Sequence, residues 1–292
     1  MTDRDRWAEW LLERRHGGDP ERLQEMVSHL TGVRDGVLDR ADLAAGDTVL
    51  DVGCGDGLIA FGALDRVGPE GKVIFSDVST DLLDVCRQHA VETGVVDRCD
   101  FVQASADRLD AVADESVEAV TTRSVLIYIG DKLACFDEFH RVLRTGGRLS
   151  VFEPINGYPL WDADDTYCGY DVRPVADLFA KLTAMYDRIQ PRTADPMSDF
   201  DERDLLRMAE QSGFHEIHLE LRVDIEPRLP PSTWDGFINS APNPLVPSHA
   251  EAWEATLSAD EVKRIGTHLR PLVESGTGRH RLAIAHLWAT KQ

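Results

Sequence analysis

The sequence predicts an α/β fold: a mostly parallel, seven-stranded sheet with helices on both faces, together with a cap of helices and loops. Three observations support this prediction. From residue 47 onward, short β-rich runs alternate with helical runs of ten or more residues, which is typical of a parallel sheet. A glycine-rich turn follows the first β-rich run. Finally, 42% of the 292 residues are hydrophobic, so the chain can bury a sizeable core.

The first 45 residues are predicted to be helical. Asp19 precedes Pro20, and an aspartate followed by a proline is a typical start of a helix. Apolar side chains then recur on one helix face, at Leu23, Met26, Val27 and Leu30. This N-terminal segment is interpreted either as a packing element or as a lid over the neighbouring site.

Five β-rich runs form the central part of the predicted sheet, and helices predicted over 58–67, 80–93 and 131–143 connect three pairs of them. In chain order the runs read TVLDV, KVIFSD, DFVQA, VEAVTT and RLSVFE. Right-handed crossovers place the carboxyl ends of parallel strands at one edge of the sheet, where ligands bind in open α/β folds. The functional site is therefore expected at the ends of these runs.

Two segments rich in proline or aromatic residues interrupt the alternation. The sequence accordingly divides into an N-terminal helical lid (1–45), a core (46–153), a first cap insertion (154–200), a continuation of the core (201–225), a second cap insertion (226–277) and a final core strand (278–292). The continued core contains a helix predicted over 202–212 and a strand over 217–225, and the final strand reads RLAIAHLWAT. Because long ordered loops are usually functional, the insertions are predicted to cap the ligand edge.

The charge balance excludes several classes of partner. The 31 Lys and Arg residues face 52 Asp and Glu residues, which leaves a formal net charge of −21. Such a chain repels nucleic acids and anionic membrane surfaces unless it carries a basic patch, and the sequence contains none. With no signal-peptide pattern and no apolar run long enough to span a bilayer, a cytoplasmic protein is predicted. Five scattered cysteines predict neither disulfides nor a metal site.

The strongest motif is VLDVGCGDG, in which a buried strand runs into a glycine-rich turn and then into a helix. Gly53 and Gly55 let the backbone approach a ligand closely. They fit the first two glycines of the dinucleotide fingerprint GxGxxG, but the third position is Leu58. Asp51 and Asp56 are also poor neighbours for a pyrophosphate. The turn therefore favours a nucleoside ligand that lacks phosphates.

A second acid, Asp77, ends the next β-rich run. A carboxylate at this position can accept hydrogen bonds from both hydroxyls of a ribose. An aspartate at a strand end is often only the cap of the following helix. Here Ser79 or Thr80 already serve that purpose, so the ribose role is favoured.

These residues and three later motifs resemble those of the class I S-adenosylmethionine-dependent methyltransferases, whose fold is Rossmann-like. The later motifs are ASA at 104–106, TRSVL at 122–126 and RVLRTGGR at 141–148. The resemblance is strong over residues 40–155, rests on pattern alone over 200–225 and 278–290, and hardly extends to the cap insertions. It points to a fold and a cofactor and leaves the substrate open.

The resemblance implies that S-adenosylmethionine is the cofactor. The residues implied to bind it are Asp51, Gly53 and Gly55 around the methionine, Asp77 at the ribose, Val78, Ser105 and Ala106 at the adenine, and Arg123 and Ser124 near the methionine amino group. Many relatives carry an aspartate where Ser105 stands. A serine can also accept a hydrogen bond from the adenine amino group.

Methyl transfer needs an aligned acceptor and the exclusion of water, and it needs a base only when the acceptor is acidic. Glu153 and Tyr128 are the candidates at strand ends: Glu153 as a substrate contact or base, or else as a helix cap or ion-pair partner, and Tyr128 as a wall residue or base. Substrate contacts are predicted at Asn156, Tyr158, Trp161, Tyr167 and Tyr170. Of the histidines, His249 alone is kept as a substrate candidate. Cys54 is assigned to packing, because nearby acids suppress its thiolate.

The predicted function is methyl transfer from S-adenosylmethionine to an oxygen or nitrogen, less readily a carbon, of a small apolar or aromatic-bodied metabolite of secondary metabolism. One alternative keeps the cofactor with another reaction or a non-catalytic role. A more distant alternative is an NAD-dependent oxidoreductase, against which Leu58 and the acidic turn argue. Arsenite is set aside as a substrate, because Cys168 is the only cysteine predicted near the site. The sequence leaves a homodimer open.

Overall fold

The computed structural model describes residues 4–158, 165–191, 194–227, 229 and 231–292, without the side chains of residues 20–29. The chain forms two compact units. The larger unit consists of Ser28–Gly157, Pro196–Arg222 and Ala283–Gln292, and the smaller one of Met1–Val27, Tyr158–Asp195 and Val223–Leu282. No helix within the described residues is both long and apolar enough to cross a membrane.

The described residues form nine β-strands and ten α-helices. The strands are β1 (Thr48–Val52), β2 (Lys72–Asp77), β3 (Cys99–Gln103), β4 (Val117–Arg123), β5 (Leu143–Pro154), β6 (Thr166–Tyr167), β7 (Tyr170–Asp171), β8 (Phe214–Glu226) and β9 (His280–Lys291). The helices are α1 (Arg6–Glu9), α2 (Pro20–Arg40), α3 (Leu58–Val67), α4 (Thr80–Glu92), α5 (Lys132–Val142), α6 (Ala176–Ile189), α7 (Glu202–Gln211), α8 (Trp234–Asn239), α9 (His249–Thr256) and α10 (Ala259–Ser275). A π-helical turn, Trp10–Arg14, follows α1.

Seven strands form one sheet in the order β3-β2-β1-β4-β5-β9-β8. The pairs β1–β2, β2–β3, β1–β4 and β4–β5 are parallel, and β9 runs antiparallel to β5. This confirms the predicted α/β fold with a mostly parallel seven-stranded sheet. The strand order reverses between β1 and β4, so a crevice is expected at the carboxyl ends of these two strands.

The central strands are apolar because helices cover a parallel sheet on both faces. In β1, the residues Val49, Leu50 and Val52 are almost completely buried. Helix α3 starts after Gly57, whose φ of +89° lies in the left-handed region. A Cβ at this glycine would lie 2.5 Å from the ring of Phe61, so close packing of α3 also requires a glycine here.

The main differences from the sequence prediction occur at the starts of strands. The predicted helix 131–143 ends one residue early, because Leu143 already pairs with Val117 as the first residue of β5. The predicted strand 217–225 begins earlier as well, at Phe214, directly after the left-handed turn residue Gly213. Both additional segments depend on pairing or turn geometry, which apolar periodicity does not report.

The smaller unit is mainly helical and has an apolar core of its own. Helices α6, α8, α9 and α10 contribute to this core, whose largest side chains are Tyr170, Phe179, Phe237 and Trp253. Lys181 pairs with Glu261 across the exposed surface of α6 and α10, but exposed ion pairs contribute little to stability. Burial of the apolar side chains is therefore the main stabilising term of this unit.

Candidate functional site

The glycine turn after β1 is tied to the end of β2 through Asp77. The Asp77 carboxylate accepts the backbone N–H of Gly55 at Oδ2 and that of Ser79 at Oδ1, both at 2.9 Å. Gly53 has a φ of +67°, and a Cβ there would lie 2.2 Å from Cγ2 of Val125. A larger residue at Gly53 would thus push apart the turns that follow β1 and β4.

Asp51 provides an unpaired carboxylate oxygen inside the larger unit. It is only 2% exposed, and its Oδ1 accepts the hydroxyl of Thr121 at 2.8 Å. Its Oδ2 is buried and has no hydrogen-bond partner within the described part of the chain. Burial raises the pKa of Asp51 to about 7, although the hydrogen bond from Thr121 acts against that rise. A buried oxygen of this kind calls for a donor, and a primary ammonium supplies one.

Arg123 ends β4 with a charge opposite to that of Asp51. Burial lowers the pKa of the guanidinium, while the carboxylates of Asp56, Asp51 and Glu153 counteract that effect. Among the described residues, the guanidinium makes no hydrogen bond and no ion pair. Ser124, the next residue, has a φ of +56°, a conformation that non-glycine residues rarely adopt and that is enriched at functional sites.

An unpaired carboxylate oxygen and an unpaired guanidinium at neighbouring strand ends suit an α-amino acid. The ammonium of the methionine moiety fits Oδ2 of Asp51, and its carboxylate fits the Arg123 fork. The sequence placed Arg123 near the amino group. The positive charge of Arg123 makes the methionine carboxylate the better partner, so the residues present fit S-adenosylmethionine.

An open pocket lies at the end of β3, and its lining includes Ser105, one of the residues predicted to lie at the adenine. Val78 is 41% exposed, an unusual exposure for a large apolar residue and one that suits stacking against a base. Ser105 donates its hydroxyl to Oδ1 of Asp107 at 2.5 Å, and Ala106 is buried. Gln103, Ser105 and Asp107 help to line a pocket of about 330 Å³.

Asp107 is a residue that the sequence reasoning missed. Its carboxylate lies beside Ser105, where many relatives were expected to carry an acid. It can accept from the adenine amino group in place of the missing aspartate. The sequence signal that could have identified Asp107 is its position, an acid two residues after Ser105 in the loop that follows the third strand. The same reasoning also missed Thr121, which holds Asp51.

Glu153 lies under the turn that follows β4. It is completely buried, and its carboxylate accepts the backbone N–H groups of Val125 (2.8 Å), Leu126 (3.0 Å) and Ile127 (3.4 Å). Burial raises its pKa to about 7. These contacts favour the alternative interpretation as a cap. Because the capped residues lead into the 3₁₀ turn that ends at Tyr128, Glu153 is placed to position this half-buried side chain.

Glu153→Gln is expected to leave cofactor affinity nearly unchanged while lowering stability. The amide nitrogen of glutamine would face backbone donors that now meet a carboxylate, which costs about 1–3 kcal/mol of unfolding free energy. Urea unfolding and calorimetric titration with S-adenosylhomocysteine measure the two quantities. A variant with unchanged stability and strongly reduced turnover would instead support Glu153 as a base, and unchanged turnover would remove it from the chemistry.

The predicted substrate residues fall into both units. Asn156 follows β5 in the larger unit, and Tyr158 begins a segment of the smaller unit. Tyr170 is 4% exposed and meets Phe237 edge-on, so its side chain is part of the apolar core. Tyr167 bonds through its hydroxyl to His249. Trp161 lies outside the described residues. The roles of these side chains and of the two cap insertions stay predictions.

The other titratable candidates occupy packed positions. The His140 ring meets Phe214 edge-on, and burial lowers the pKa of the imidazole. Cys54 is 5% exposed, and its pKa is raised well above the usual value by the neighbouring Cys86 thiol and by burial. Within the described ranges, no group of three or more His, Cys, Asp or Glu side chains is placed to hold a metal ion.

A family model described as the ubiE/COQ5 methyltransferase family matches residues 27–222, which is more than half of the chain. The chain belongs to the ubiE/COQ5 methyltransferase family. The matched region includes the glycine turn, Asp77, Arg123 and Glu153. Membership of this family confirms the class I methyltransferase predicted from the sequence motifs and supports S-adenosylmethionine as the cofactor.

Curated relatives match this ubiE/COQ5 family member over part of their length. The ubiquinone/menaquinone biosynthesis C-methyltransferase UbiE of Xylella fastidiosa (strain M23) is 38% identical over 113 residues, which are 39% of this chain and 44% of that protein. The arsenite methyltransferase of Halobacterium salinarum is 32% identical over 167 residues, 55% of this chain and 42% of that protein. The chain thus spans less than half the length of these relatives.

Solved structures with a similar fold cover nearly the whole chain. The YcgJ protein of Bacillus subtilis superimposes with a TM-score of 0.54 at 18% identity, covering 91% of this chain and 99% of that one. The phosphoethanolamine N-methyltransferase 2 of Haemonchus contortus was solved in complex with phosphomonomethylethanolamine and S-adenosylhomocysteine. It superimposes with a TM-score of 0.52 at 16% identity, covering 89% of this chain and 52% of that one. At these identities the likeness establishes the fold alone.

Proposed function

We propose that this ubiE/COQ5 family member transfers a methyl group from S-adenosylmethionine to a small molecule. The observation that carries the proposal is the pair formed by Asp51 and Arg123 near the ends of adjacent strands: Oδ2 of the buried carboxylate has no hydrogen-bond partner among the described residues, and the guanidinium carries the opposite charge. Together with the glycine turn and Asp77, the pair supplies a donor or acceptor for each polar group of the methionine and ribose moieties.

In this proposal the chain's own residues bind the cofactor and orient it for the transfer. When bound, S-adenosylmethionine would supply an electrophilic methyl group for in-line transfer, with the neutral thioether S-adenosylhomocysteine as the leaving group. Asp51 and Arg123 hold the methionine end, and Asp77 holds the ribose while it keeps Gly55 in place. Glu153 fixes the turn that carries Tyr128. Catalysis then rests on alignment and on the exclusion of water.

For the acceptor we propose a small apolar or aromatic-bodied compound. The sequence favoured an oxygen or nitrogen acceptor on general frequency. One named relative is a C-methyltransferase of ubiquinone/menaquinone biosynthesis, and it supports carbon as the alternative acceptor atom. A screen with S-adenosylmethionine and three matched aromatic acceptors, a phenol, an aniline and a hydroquinone, separates the cases by the position of the new methyl group.

Calorimetric titration with S-adenosylhomocysteine, and separately with NAD, tests the cofactor. We expect micromolar affinity for the former and no heat from NAD, because the acidic turn repels a pyrophosphate. Binding of NAD alone would overturn the proposal. If S-adenosylhomocysteine binds and no acceptor in the screen is methylated, the alternative of a cofactor-binding protein with another reaction or a non-catalytic role gains support.

A further inference from the structure

Thr121 on β4 lies directly opposite Asp51 on β1. The register of the sheet pairs Asp51 with Thr121 on one side and with Phe75 of β2 on the other. Since Phe75 has no polar atom in its side chain, Thr121 is the cross-strand neighbour that can donate a hydrogen bond to the carboxylate. Its hydroxyl does so, to Oδ1 of Asp51 at 2.8 Å. The strand pairing therefore places a hydroxyl donor beside the acid that the proposed cofactor site uses.

The hydrogen bond between Thr121 and Asp51 lies in the interior of the larger unit. Thr121 is completely buried, and Asp51 is almost completely buried. A hydrogen bond is electrostatically stronger in such surroundings than in water, and a charged acceptor strengthens it further. Ser150, the neighbour of Thr121 on β5, uses its own hydroxyl elsewhere, because it donates to the carbonyl of Val37. Thr121 is thus the side chain that holds Oδ1.

The Thr121 hydroxyl favours the charged form of Asp51. Burial raises the pKa of this carboxyl to about 7, and the hydrogen bond from Thr121 is the largest effect that acts against the rise. Arg123 and the backbone N–H of Ala60 in α3 also lower this pKa, and the charge of Asp77 raises it. An ammonium pairs with a carboxylate and not with the neutral acid. Thr121 therefore influences the pH at which Asp51 can bind an ammonium.

We propose that Thr121 is a positioning residue for the cofactor: its hydroxyl holds Oδ1 of Asp51, keeps the carboxylate charged near neutral pH and leaves Oδ2 to the ammonium of the methionine moiety. The inference rests on the proposed function, because it concerns the same cofactor site. Thr121 acts through Asp51 and needs no contact with the cofactor. Loss of its hydroxyl should therefore weaken cofactor binding at low pH far more than at high pH.

Thr121→Val tests this role, because valine has nearly the shape of threonine and lacks the hydroxyl. Calorimetric titration with S-adenosylhomocysteine between pH 6 and 8.5 gives the dissociation constant. Loss of a hydrogen bond to the charged form should raise the pKa of Asp51 by about one unit. The dissociation constant should then exceed that of the unmodified protein about ninefold at pH 6, about fivefold at pH 7 and less than about twofold at pH 8.5.

Thr122→Val is the matched control. Thr122 is the next residue of β4, so its side chain points to the opposite face of the sheet, and it is completely buried as well. Its hydroxyl has no hydrogen-bond partner within the described residues, and its cross-strand neighbours are Val52 and Val151. The pH profile of this variant should match that of the unmodified protein. Equal shifts in the two variants would point to altered packing of β4 and overturn the role of Thr121.

Thr121→Ser restores a hydroxyl and should return the pH profile toward that of the unmodified protein. A loss of affinity in Thr121→Val that is equal at pH 6 and pH 8.5 would reduce Thr121 to a packing residue and overturn the proposal. If Thr121→Val does not fold, Thr121→Cys takes its place. Because a thiol is a weaker donor than a hydroxyl, a smaller shift in the same direction is expected, and no shift would contradict the proposal.

The unmodified protein distinguishes failure of this inference from failure of the proposed function. The amino group of S-adenosylhomocysteine titrates equally in every experiment, so differences between variants report on the protein. If the unmodified protein binds S-adenosylhomocysteine and Thr121→Val has the same pH profile, Thr121 has no positioning role and the cofactor assignment stands. If the unmodified protein does not bind S-adenosylhomocysteine at any pH, the proposed function fails, and the role of Thr121 fails with it.

Discussion

Asp77→Ala is expected to weaken binding of S-adenosylhomocysteine by about 1–3 kcal/mol, or roughly 5- to 150-fold in the dissociation constant. Two causes add. The ribose hydroxyls lose a charged acceptor, and the backbone N–H of Gly55 loses the carboxylate that now holds the glycine turn. Calorimetric titration measures the effect, and S-adenosylmethionine turnover should fall in parallel at low cofactor concentration.

Asp47→Ala is the matched control for general destabilisation. Asp47 precedes β1 at the opposite end of the strand, accepts the N–H of Ala44 and pairs with Arg148. Its loss should lower the free energy of unfolding without changing the cofactor dissociation constant. A dissociation constant that is unchanged in Asp77→Ala, or changed equally in both variants, would remove the ribose assignment.

Affinity for the cofactor is expected to depend on pH through Asp51. In the free protein, burial holds the pKa of this carboxyl at about 7, so the group is largely protonated below that pH. An ammonium partner favours the charged form and lowers the pKa, so binding below pH 7 must release a proton. The dissociation constant should therefore rise as the pH falls, approaching tenfold per unit below about pH 7, and level off above it.

Titrations with S-adenosylhomocysteine between pH 5.5 and 8.5 test this dependence. At pH 6, buffers of different ionisation enthalpy should reveal release of nearly one proton. Asp51→Asn should bind weakly at all pH values and lose the dependence. Arg123 and Asp77 also act on this carboxyl and shift the midpoint without changing the sign. A flat profile in the unmodified protein would show that Asp51 does not pair with the ammonium.

Local sequence signals predicted most of the sheet and the cofactor edge. The β-rich runs that form β1 to β5 and the helical runs between them can be read along the chain. The glycines of VLDVGCGDG favour the turn that follows β1. Asp77 ends a β-rich run, which is the reason for its predicted role at the ribose, and that role stays a prediction. The same approach missed Asp107, because its place beside Ser105 depends on a hydrogen bond from the Ser105 hydroxyl, and the spacing of apolar residues does not predict such a bond.

What the sequence determined by itself is the alternation of strands and helices, the glycine turn and the acids at strand ends, because each depends on residues close together in the chain. Only the tertiary structure decided which buried polar atoms have partners. Glu153 is satisfied by the turn after β4, Oδ2 of Asp51 is left unpaired by described residues, and His249 reaches Tyr167, 82 positions away. Such pairings depend on how distant segments of the chain pack together. Burial strengthens the hydrogen bonds that form and raises the free-energy cost of a polar atom left without one.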